Sequence, residues 1–408
     1  MKKIWDKWTR IALVKRILVG LILGAILGIA VPQATGIAIL GDVFVSALKA
    51  IAPLLVFFLV ISSLCNAGKS HGGVIKTVII LYMFSTVLAA VIAVFASMAF
   101  PVKMTLANAA TDTSAPQGIV EVLNNLLLNV VANPVSSLVN ANYVGILMWA
   151  VLLGLAFRAA DKMTKNVLAD VADGISVVVT WIINLAPFGI FGLVFNTVST
   201  NGLDIFTTYG KLLLLLVVCM LFIYFVTNPL LVYWCIRQNP YPLIFHCLKR
   251  SALTAFFTRS SAANIPVNMK VCEEMGLDRD TYSVTIPLGA TINMDGAAIT
   301  ITVMTMATAF TLGIHVDIPT AIILSLLAAL SACGASGVAG GSLLLIPMAC
   351  SLFGISDDIS MQVVAVGFII GVVQDSVETA LNSSSDLLLS ASAEFRQWRL
   401  EGKEIKFK

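Results

Sequence analysis

Long apolar runs dominate this sequence. Most of its 408 residues lie in apolar segments of about 18 residues or more, the length an α-helix needs to cross a hydrocarbon core of roughly 30 Å. Hydrophobic residues make up 59% of the chain and charged residues 12%, against roughly 45–50% and 25% in an average soluble domain. A soluble fold is therefore excluded. The net charge of +3 also gives no basic surface for nucleic acid.

Eight of the apolar runs are predicted to be membrane-spanning helices. The first follows a basic N-terminus, but it is longer than the apolar region of a secretory signal and no A-x-A cleavage pattern follows it. We therefore expect it to be retained. The fourth run is long enough to break in two near Asn140. The predicted spans cover about 11–31, 43–64, 74–100, 120–157, 166–198, 209–236, 281–313 and 361–389.

Basic residues indicate how these spans are oriented. Lysine and arginine gather at both chain ends and in the loops around 69–76, 158–165 and 237–279, whereas the intervening loops carry almost none. By the positive-inside rule, these loops and both termini face the cytoplasm. Two termini on one side require an even number of crossings, which eight spans satisfy. The sequence therefore predicts a multi-pass inner-membrane protein with both termini in the cytoplasm.

Two further apolar stretches, 245–271 and 318–353, do not fit as crossings. The first has basic residues at both ends and the second has none at either end, so each is expected to enter and leave on one side. Each contains a polar or small-residue run, at 258–264 and 331–342. Irregular backbone at membrane depth is tolerated only where protein or a water-filled cavity covers it. We predict two re-entrant hairpins of opposite orientation, although a small-residue packing interface would also explain the second stretch.

Each predicted hairpin precedes a span, so the C-terminal half is predicted to contain an inverted repeat. Transporters built from opposed repeats place their substrate and ion sites near the midplane, between discontinuous helices. The predicted fold class is thus an all-α polytopic membrane protein with eight spans and two hairpins. The functional residues are expected in its C-terminal half.

The seventh span contains Asn293-Met294-Asp295-Gly296, preceded by Pro287 and Gly289. These residues weaken a helix and free carbonyl oxygens, and Asp295 adds a negative charge, which together suit Na⁺. A carboxylate at the centre of a membrane helix costs roughly 2.5–3.5 kcal/mol on insertion scales, so a purely structural Asp295 is disfavoured. Three residues of the third span could add oxygen ligands, although alone they would indicate helix packing: Tyr82, Ser85 and Thr86.

The eighth span carries a polar stripe at positions i, i+3, i+4, i+7 and i+11, which lie on one helical face. Its members are Asp375, Glu378, Thr379, Asn382 and Asp386. Such a face must meet a cavity or partner groups, and its three acids favour cations: Na⁺, a substrate ammonium, or alternatively protons. The competing interpretation is that the span ends near Asn382 and leaves 382–386 as an exposed loop.

These motifs resemble the dicarboxylate/amino acid:cation symporter family, the group of the glutamate transporters, over nearly the whole chain. The most specific matches are Thr258-Arg259-Ser260-Ser261, Asn293-Met294-Asp295-Gly296, Gly337-Val338-Ala339-Gly340 and the stripe of the eighth span. The resemblance implies a homotrimer in which a scaffold (about 11–66 and 120–198) stays fixed. It also implies a transport domain (about 74–100 and 207–392) that slides across the membrane, with hairpin two as its gate, and a cytoplasmic tail at 393–408.

The resemblance also implies which residues bind ligands. One Na⁺ would be held by Asp386 with the carbonyls of Gly289, Asn293 and Asn382. A second would be held by Asp295, Asn293, Tyr82, Ser85 and Thr86. A third, gate-dependent ion would be held by Thr291 and by carbonyls near Ala332, Cys333 and Ala335. The substrate would lie between Ser260, Ser261, Val338, Asp375, Thr379 and Asn382. Asp375 would take its ammonium and Asn382 its carboxylate, and no organic cofactor is implied.

One position departs from the members that carry acidic substrates. Those members have an arginine one helical turn before the asparagine of the eighth span, and here that residue is Glu378. A substrate carboxylate needs a cation for bidentate pairing, whereas a hydroxyl can donate to Glu378. Serine and threonine are therefore the predicted substrates of sodium symport, as in the bacterial serine/threonine:sodium symporters. Arg259 would weaken this inference if it offset the charge of Glu378 or Asp375.

Three other functions compete with this one. The runner-up is a sodium- or proton-coupled symporter for acidic amino acids or dicarboxylates. An intramembrane hydrolase would need paired aspartates on adjacent helices or a Ser-His couple, and neither is evident. An ion channel would need a repeated or oligomeric filter, which one asymmetric stripe does not supply. The sequence thus predicts a carrier and not an enzyme.

Overall fold

The computed structural model describes residues 11, 13–66, 73–106, 128, 131–333, 335 and 340–405, and all regular secondary structure within them is helical. The N-terminal half contains α1 (Leu13–Ala30), α2 (Ile39–Asn66), α3 (Gly73–Ala99), α4 (Pro134–Val139), α5 (Tyr143–Ala156), α6 (Lys162–Asn184), α7 (Ala186–Asn201) and α8 (Asp204–Phe222). The C-terminal half contains α9 (Asn228–Ile236), α10 (Tyr241–Cys247), α11 (Leu253–Thr258), α12 (Ser261–Glu274), α13 (Arg279–Ile292), α14 (Asp295–Thr311), α15 (Ile318–Ala332), α16 (Ile346–Ser351) and α17 (Asp357–Leu400).

Within the described part of the chain, six helical segments are long and apolar enough to cross a membrane. They are Thr35–Asn66, Gly73–Ala99, Lys162–Asn184, Phe206–Ile236, Arg279–Thr311 and Asp357–Leu400. Each overlaps a span predicted from the sequence. The all-helical, polytopic character of the protein is thereby confirmed.

Several helices begin at a capping side chain that accepts a hydrogen bond from the first turn. Asp161 accepts from Thr164 N at 2.8 Å ahead of α6, and Asp317 accepts from Thr320 N at 2.8 Å ahead of α15. The hydrogen bonds from these threonines hold the pKa of each aspartate below its ordinary value. Asparagine, which tolerates the non-helical backbone of this position, caps α4 and α5.

Two predicted spans are broken. The fourth, predicted to break near Asn140, is interrupted between α4 and α5 by Ala141, whose φ is 51°. Most of 107–130 lies outside the described residues. The fifth, predicted as one run over 166–198, is two helices that meet at Leu185. Pro187 explains the second break, because proline is favoured in the first turn of a helix and disfavoured inside one.

The last helix is longer than predicted. α17 has 44 residues and continues through 382–386 without interruption, so the alternative of a loop there was wrong. The cytoplasmic tail is predicted to begin at residue 393, but that residue lies inside α17, which ends at Leu400. Phe395 is fully buried, which explains why the helix extends beyond the apolar run.

One group of helices, α1, α2, α5, α6 and α7, packs mainly on itself. The closest approach is between α1 and α7, where glycines recur every fourth residue. A Cβ added at Gly20 would lie 2.2 Å from the carbonyl oxygen of Pro187, and one at Gly24 would lie 2.6 Å from that of Phe191. Small residues at this spacing let two membrane helices pack backbone against backbone.

A second group surrounds α14. This helix contacts α3, α15 and α17, and its residues from Asp295 to Ala309 are all buried. The helices α8 to α13 and α16 complete the group. Polar side chains on a helix that is buried on all sides face other protein groups and not lipid. The candidate site lies among these side chains.

The chain folds back on itself twice within the second group. The first reversal lies at Arg259 (φ 53°) and the extended Ser260, and Asn264 Nδ2 then lies 2.9 Å from Ser251 Oγ on the opposite arm. The second lies between α15 and a 3₁₀ segment, Gly341–Leu345, where Ser331 Oγ is 3.3 Å from Met348 Sδ. Residues 334 and 336–339 of the second reversal lie outside the described residues.

Candidate functional site

The site is built on a broken helix. α13 ends at Ile292, Asn293 and Met294 have non-helical backbone, and α14 starts at Asp295. Pro287 inside α13 removes a further backbone donor. A helix end leaves backbone groups without intrahelical partners, so the break concentrates polar groups in the middle of an apolar segment.

Asp386 lies beside this break. Its Oδ1 accepts a hydrogen bond from Asn293 Nδ2 at 2.9 Å, and the same amide lies 3.3 Å from the carbonyl oxygen of Asn382. A Cβ added at Gly289 would lie 2.8 Å from Asp386 Oδ1, so only glycine lets the backbone approach this closely. The structure thus brings together all four residues of the first predicted Na⁺ set.

Asp295 is surrounded by a second set of oxygen atoms. Its carboxylate accepts from Ser85 Oγ at 2.7 Å and from Thr86 Oγ1 at 3.2 Å. Within the described residues, the buried Oδ1 of Asn293 has no hydrogen-bond partner. An unpartnered buried oxygen near a carboxylate is the chemistry that a cation site requires.

Tyr82 joins the two sets rather than belonging to the second. Its hydroxyl donates to the carbonyl oxygen of Asp386 at 2.8 Å and lies 3.3 Å from that of Thr285. Its own carbonyl oxygen lies 2.9 Å from Thr86 Oγ1, whose single proton points either there or to Asp295. The Tyr82 side chain therefore contacts the set around Asp386. Its backbone lies next to the set around Asp295, in which the resemblance had placed it.

The third predicted Na⁺ set is brought together in part. Cys333 Sγ lies 3.8 Å from the carbonyl oxygen of Ile292, which places the end of α15 against the end of α13. Ala335 N donates to the carbonyl of Ala332 at 2.9 Å, so that oxygen already has a partner. Thr291 Oγ1 donates to the carbonyl of Leu288 at 2.7 Å.

The polar stripe of α17 is buried over its whole length. Asp375, Glu378, Thr379, Asn382 and Asp386 are each 6% exposed or less. Nε and Nη2 of Arg259 both lie 2.6 Å from Asp375 Oδ2, and the backbone N–H of Gly340 donates to Oδ1 at 3.3 Å. The sequence left open whether Arg259 offsets the charge of Asp375 or of Glu378. In the structure it pairs with Asp375.

Glu378 is held by uncharged groups. Gln374 Nε2, Thr300 Oγ1 and Ser342 Oγ lie 2.5, 2.6 and 2.9 Å from its Oε2. Three donors on one oxygen stabilise the carboxylate form. Gln374, Thr300 and Ser342 were not predicted as site residues, and the only available signal was a glutamine at the edge of the stripe in an otherwise apolar helix.

The other predicted substrate residues lie at the start of α12 and on α17. Ser260 Oγ caps α12 by accepting from Ala263 N at 3.2 Å, and Ser261 is its buried first residue. Asn382 Oδ1 accepts from Gly296 N at 2.7 Å. Among the described residues, its amide nitrogen has one contact, with Met294 Sδ at 3.5 Å. Val338 lies outside the described residues.

Buried amides fix α17 to its neighbours, and these too were not predicted. Asn264 Nδ2 is 2.9 Å from Ser383 Oγ, and Asn268 Nδ2 donates to the carbonyl of Ser383 at 2.8 Å. Asn228, which follows a π-helical segment at Ile223–Thr227, donates to Ser385 Oγ at 3.0 Å.

Two cavities separate the two groups of helices. One, of about 230 Å³, is lined by residues of both groups, including Asp42 and Ser46 of α2, Asn196 of α7 and Gln362 of α17. A smaller space lies between the beginning of α1 and the pair Arg259 and Asp375. Glu378, Asp295 and Asp386 are each 5% exposed or less.

The comparisons with known proteins agree on one family. The model of the sodium:dicarboxylate symporter family matches residues 13–394. The chain is 57% identical over 401 residues to the serine/threonine transporter SstT of Bifidobacterium adolescentis, covering 98% of this chain and 93% of that protein. It is 55% identical over 400 residues to the proteins of the same name from two strains of Streptococcus thermophilus, covering 98% of this chain and 100% of theirs. This multi-pass membrane protein, a cation-coupled transporter and not an enzyme, therefore belongs to the sodium:dicarboxylate symporter family.

Proposed function

We propose that this protein imports serine and threonine by symport with Na⁺. The observation that carries sodium coupling is the pair Asp295 and Asp386, which are at most 1% exposed and, within the described residues, form no ion pair with lysine, arginine or histidine. Burying an ionised carboxylate is very costly unless a cation or several donors compensate it. Two such groups beside oxygen ligands support Na⁺ as the compensating cation.

The choice of substrate depends on Glu378 and on the relatives. The substrate's ammonium would bind Asp375, displacing or sharing it with Arg259, and the amide nitrogen of Asn382 would bind its carboxylate. Its hydroxyl would donate to Glu378, with Thr379, Ser260, Ser261 and Val338 completing the pocket. A substrate with a second carboxylate would meet Glu378 without a cation on that side, since Arg259 contacts Asp375. The relatives' names, serine/threonine transporter, support the same choice.

The packing supports an elevator mechanism. The group formed by α1, α2 and α5 to α7 is the proposed scaffold (about 11–66 and 120–198), and the group around α14 is the proposed transport domain (about 74–100 and 207–392). The proposal includes eight spans, two hairpins entering from opposite sides, hairpin two as the gate, and a homotrimer. Both termini would face the cytoplasm of a bacterial cell.

Uptake of radiolabelled serine into proteoliposomes tests this function. We expect uptake to require an inward Na⁺ gradient, to be inhibited by excess threonine and to be unaffected by excess glutamate or a dicarboxylate. Uptake that persists when choline replaces Na⁺, or that follows a proton gradient alone, would overturn the sodium coupling. Inhibition by glutamate as strong as that by threonine would favour the alternative, an acidic amino acid or dicarboxylate symporter.

A further inference from the structure

We propose that Gln374 is a positioning residue that, together with Thr300 and Ser342, aims the Glu378 carboxylate at the hydroxyl of the substrate. The inference rests on the proposed function, because it concerns how that carrier would distinguish serine from alanine. It adds three side chains from three different elements to the recognition of one substrate group.

Gln374 is placed to act through Glu378. It lies one helical turn before Glu378 on α17, is fully buried, and directs Nε2 to both Glu378 Oε2 at 2.5 Å and Thr300 Oγ1 at 2.7 Å. Within the described residues, its Oε1 is buried without a partner. Leaving a buried acceptor such as Oε1 unpaired is unfavourable. The hydrogen bonds of Nε2 must outweigh this cost, and they therefore determine the orientation of the amide.

The three donors leave one carboxylate oxygen for another ligand. Gln374, Thr300 and Ser342 all contact Oε2, and none of these hydrogen bonds involves Oε1. The side chain also packs tightly, since a Cβ added at Gly296 would lie 3.0 Å from Glu378 Cγ. With its rotamer restricted and Oε2 occupied, Glu378 presents a fixed acceptor, which suits a single hydroxyl donor.

The third donor comes from the proposed gate. Ser342 lies in the 3₁₀ segment Gly341–Leu345 of the second chain reversal, whereas Gln374 and Thr300 lie on the long helices α17 and α14. The neighbouring Gly340 N–H contacts Asp375. The donor set around Glu378 is therefore complete only when this segment is closed over α17, which links recognition of the hydroxyl to closure.

The test compares serine with alanine, which lacks only the hydroxyl. Gln374→Met keeps the length of the side chain and removes both donors. In proteoliposomes under an inward Na⁺ gradient, we expect the KM for serine and threonine to rise about tenfold, the size of a lost hydrogen bond to a charged group, with kcat little changed. The inhibition constant of alanine should change less than about twofold. Gln362→Met, the same substitution earlier on α17, is the matched control and should leave both constants unchanged.

Equal weakening of serine and alanine would show that Gln374 has only a structural role and would overturn the inference, as would an unchanged KM for serine. If Gln374→Met does not fold, Thr300→Val and Ser342→Ala are judged by the same serine-to-alanine ratio. If the unmodified protein takes up no serine under a Na⁺ gradient, the proposed function itself fails. A protein that takes up serine but loses no discrimination in these variants refutes only this inference.

Discussion

The residue at position 378 shows how one side chain can set the class of substrate. A glutamate there is surrounded by neutral donors from three elements, and the nearby Arg259 is bound to Asp375. An arginine at the same place would lose all three hydrogen bonds, since the guanidinium has no acceptor. It would also bring a second cation close to Arg259.

Glu378→Arg is therefore expected to abolish serine uptake in proteoliposomes, by about 100-fold or more, because a buried acceptor and its charge are both removed. Glu378→Gln keeps the shape and one acceptor, so it should retain measurable uptake. Folding is checked by thermal unfolding in Na⁺. Unchanged serine transport by Glu378→Arg would refute the assignment of this residue to the substrate.

Asp386→Asn tests the cation site, again by changing a single side chain. The substitution removes the charge that faces Asn293 and Gly289 while keeping the size of the side chain. We expect the Na⁺ concentration for half-maximal uptake to rise about tenfold or more, since a carboxylate is the strongest ligand of such a site. Asp358→Asn, on the exposed first turn of α17, is the control and should not change it. An unaltered Na⁺ dependence in Asp386→Asn would contradict the assignment.

The sequence predicted those residues of the site that follow a periodic pattern. Asp375, Glu378 and Asp386 share one face of α17, and spacing alone identifies such a face. Gln374 lies one helical turn before Glu378 and borders the same face, but it is uncharged and stands just before the first residue of the stripe, Asp375, so it was not recognised. Thr300 and Ser342 reach Glu378 from other elements, and only tertiary packing brings them there.

At the scale of the elements, hydropathy located the spans, but the hydrogen bonds decided where they break. The run 166–198 is predicted as one span, yet it is two helices because Pro187 starts a new one after Leu185. The reversal at Arg259 was predicted from polar residues that lipid would not accept. The amides that fix the returning arm α12 to α17 could not be recognised, since asparagine in a hairpin is equally consistent with a turn.

Asn264 and Asn268 are expected to hold α12 against α17. Both are buried, and both donate to Ser383. Replacing either with alanine leaves buried partners unsatisfied, at about 1–3 kcal/mol each, which lowers the Tm in detergent by several degrees. Asn66→Ala is the control and should leave the Tm unchanged, because this asparagine is exposed and its hydrogen bond in the described part of the chain is to Ser62 of its own helix. A Tm unaffected by Asn264→Ala would show that the arm is held by apolar packing alone.

For the whole molecule, two contacts between the groups of helices report the position of the proposed transport domain. Lys49, ten residues into α2, lies 2.7 Å from Asp358 and 3.1 Å from Asp357 at the start of α17. The start of α17 thus lies about 15 Å along α2 from the first residue of α2, which is the end predicted to be external. Arg259 and Asp375 face the beginning of α1, the end predicted to be cytoplasmic. In the proposed elevator mechanism, both observations would correspond to a transport domain displaced toward the cytoplasm.

The ion pairs of Lys49 cannot by themselves hold this state. The lysine side chain is 39% exposed and Asp358 is 88% exposed, and pairs of this kind contribute about 0–1 kcal/mol. The relative position of the two groups of helices must therefore be set by the packing between them. A covalent link between positions 49 and 358 should stop the proposed transport domain from moving. Cysteines at Lys49 and Asp358 lack the reach of the lysine side chain, so they are expected to be joined by a short, reducible bifunctional thiol reagent, in a background where the native cysteines are replaced.

Cross-linked Lys49→Cys/Asp358→Cys protein should lose serine uptake, and reduction should restore it, because an elevator cannot cycle with its two parts joined. Asp42→Cys/Asp358→Cys is the matched control: Asp42 lies two turns earlier on α2, about 10 Å away from Lys49, so this pair should not cross-link in the inward-displaced state. Mass spectrometry of the digested protein identifies the bond. Full uptake by the cross-linked protein would refute the sliding of one group against the other, because both ends of the bond would then belong to a single rigid body.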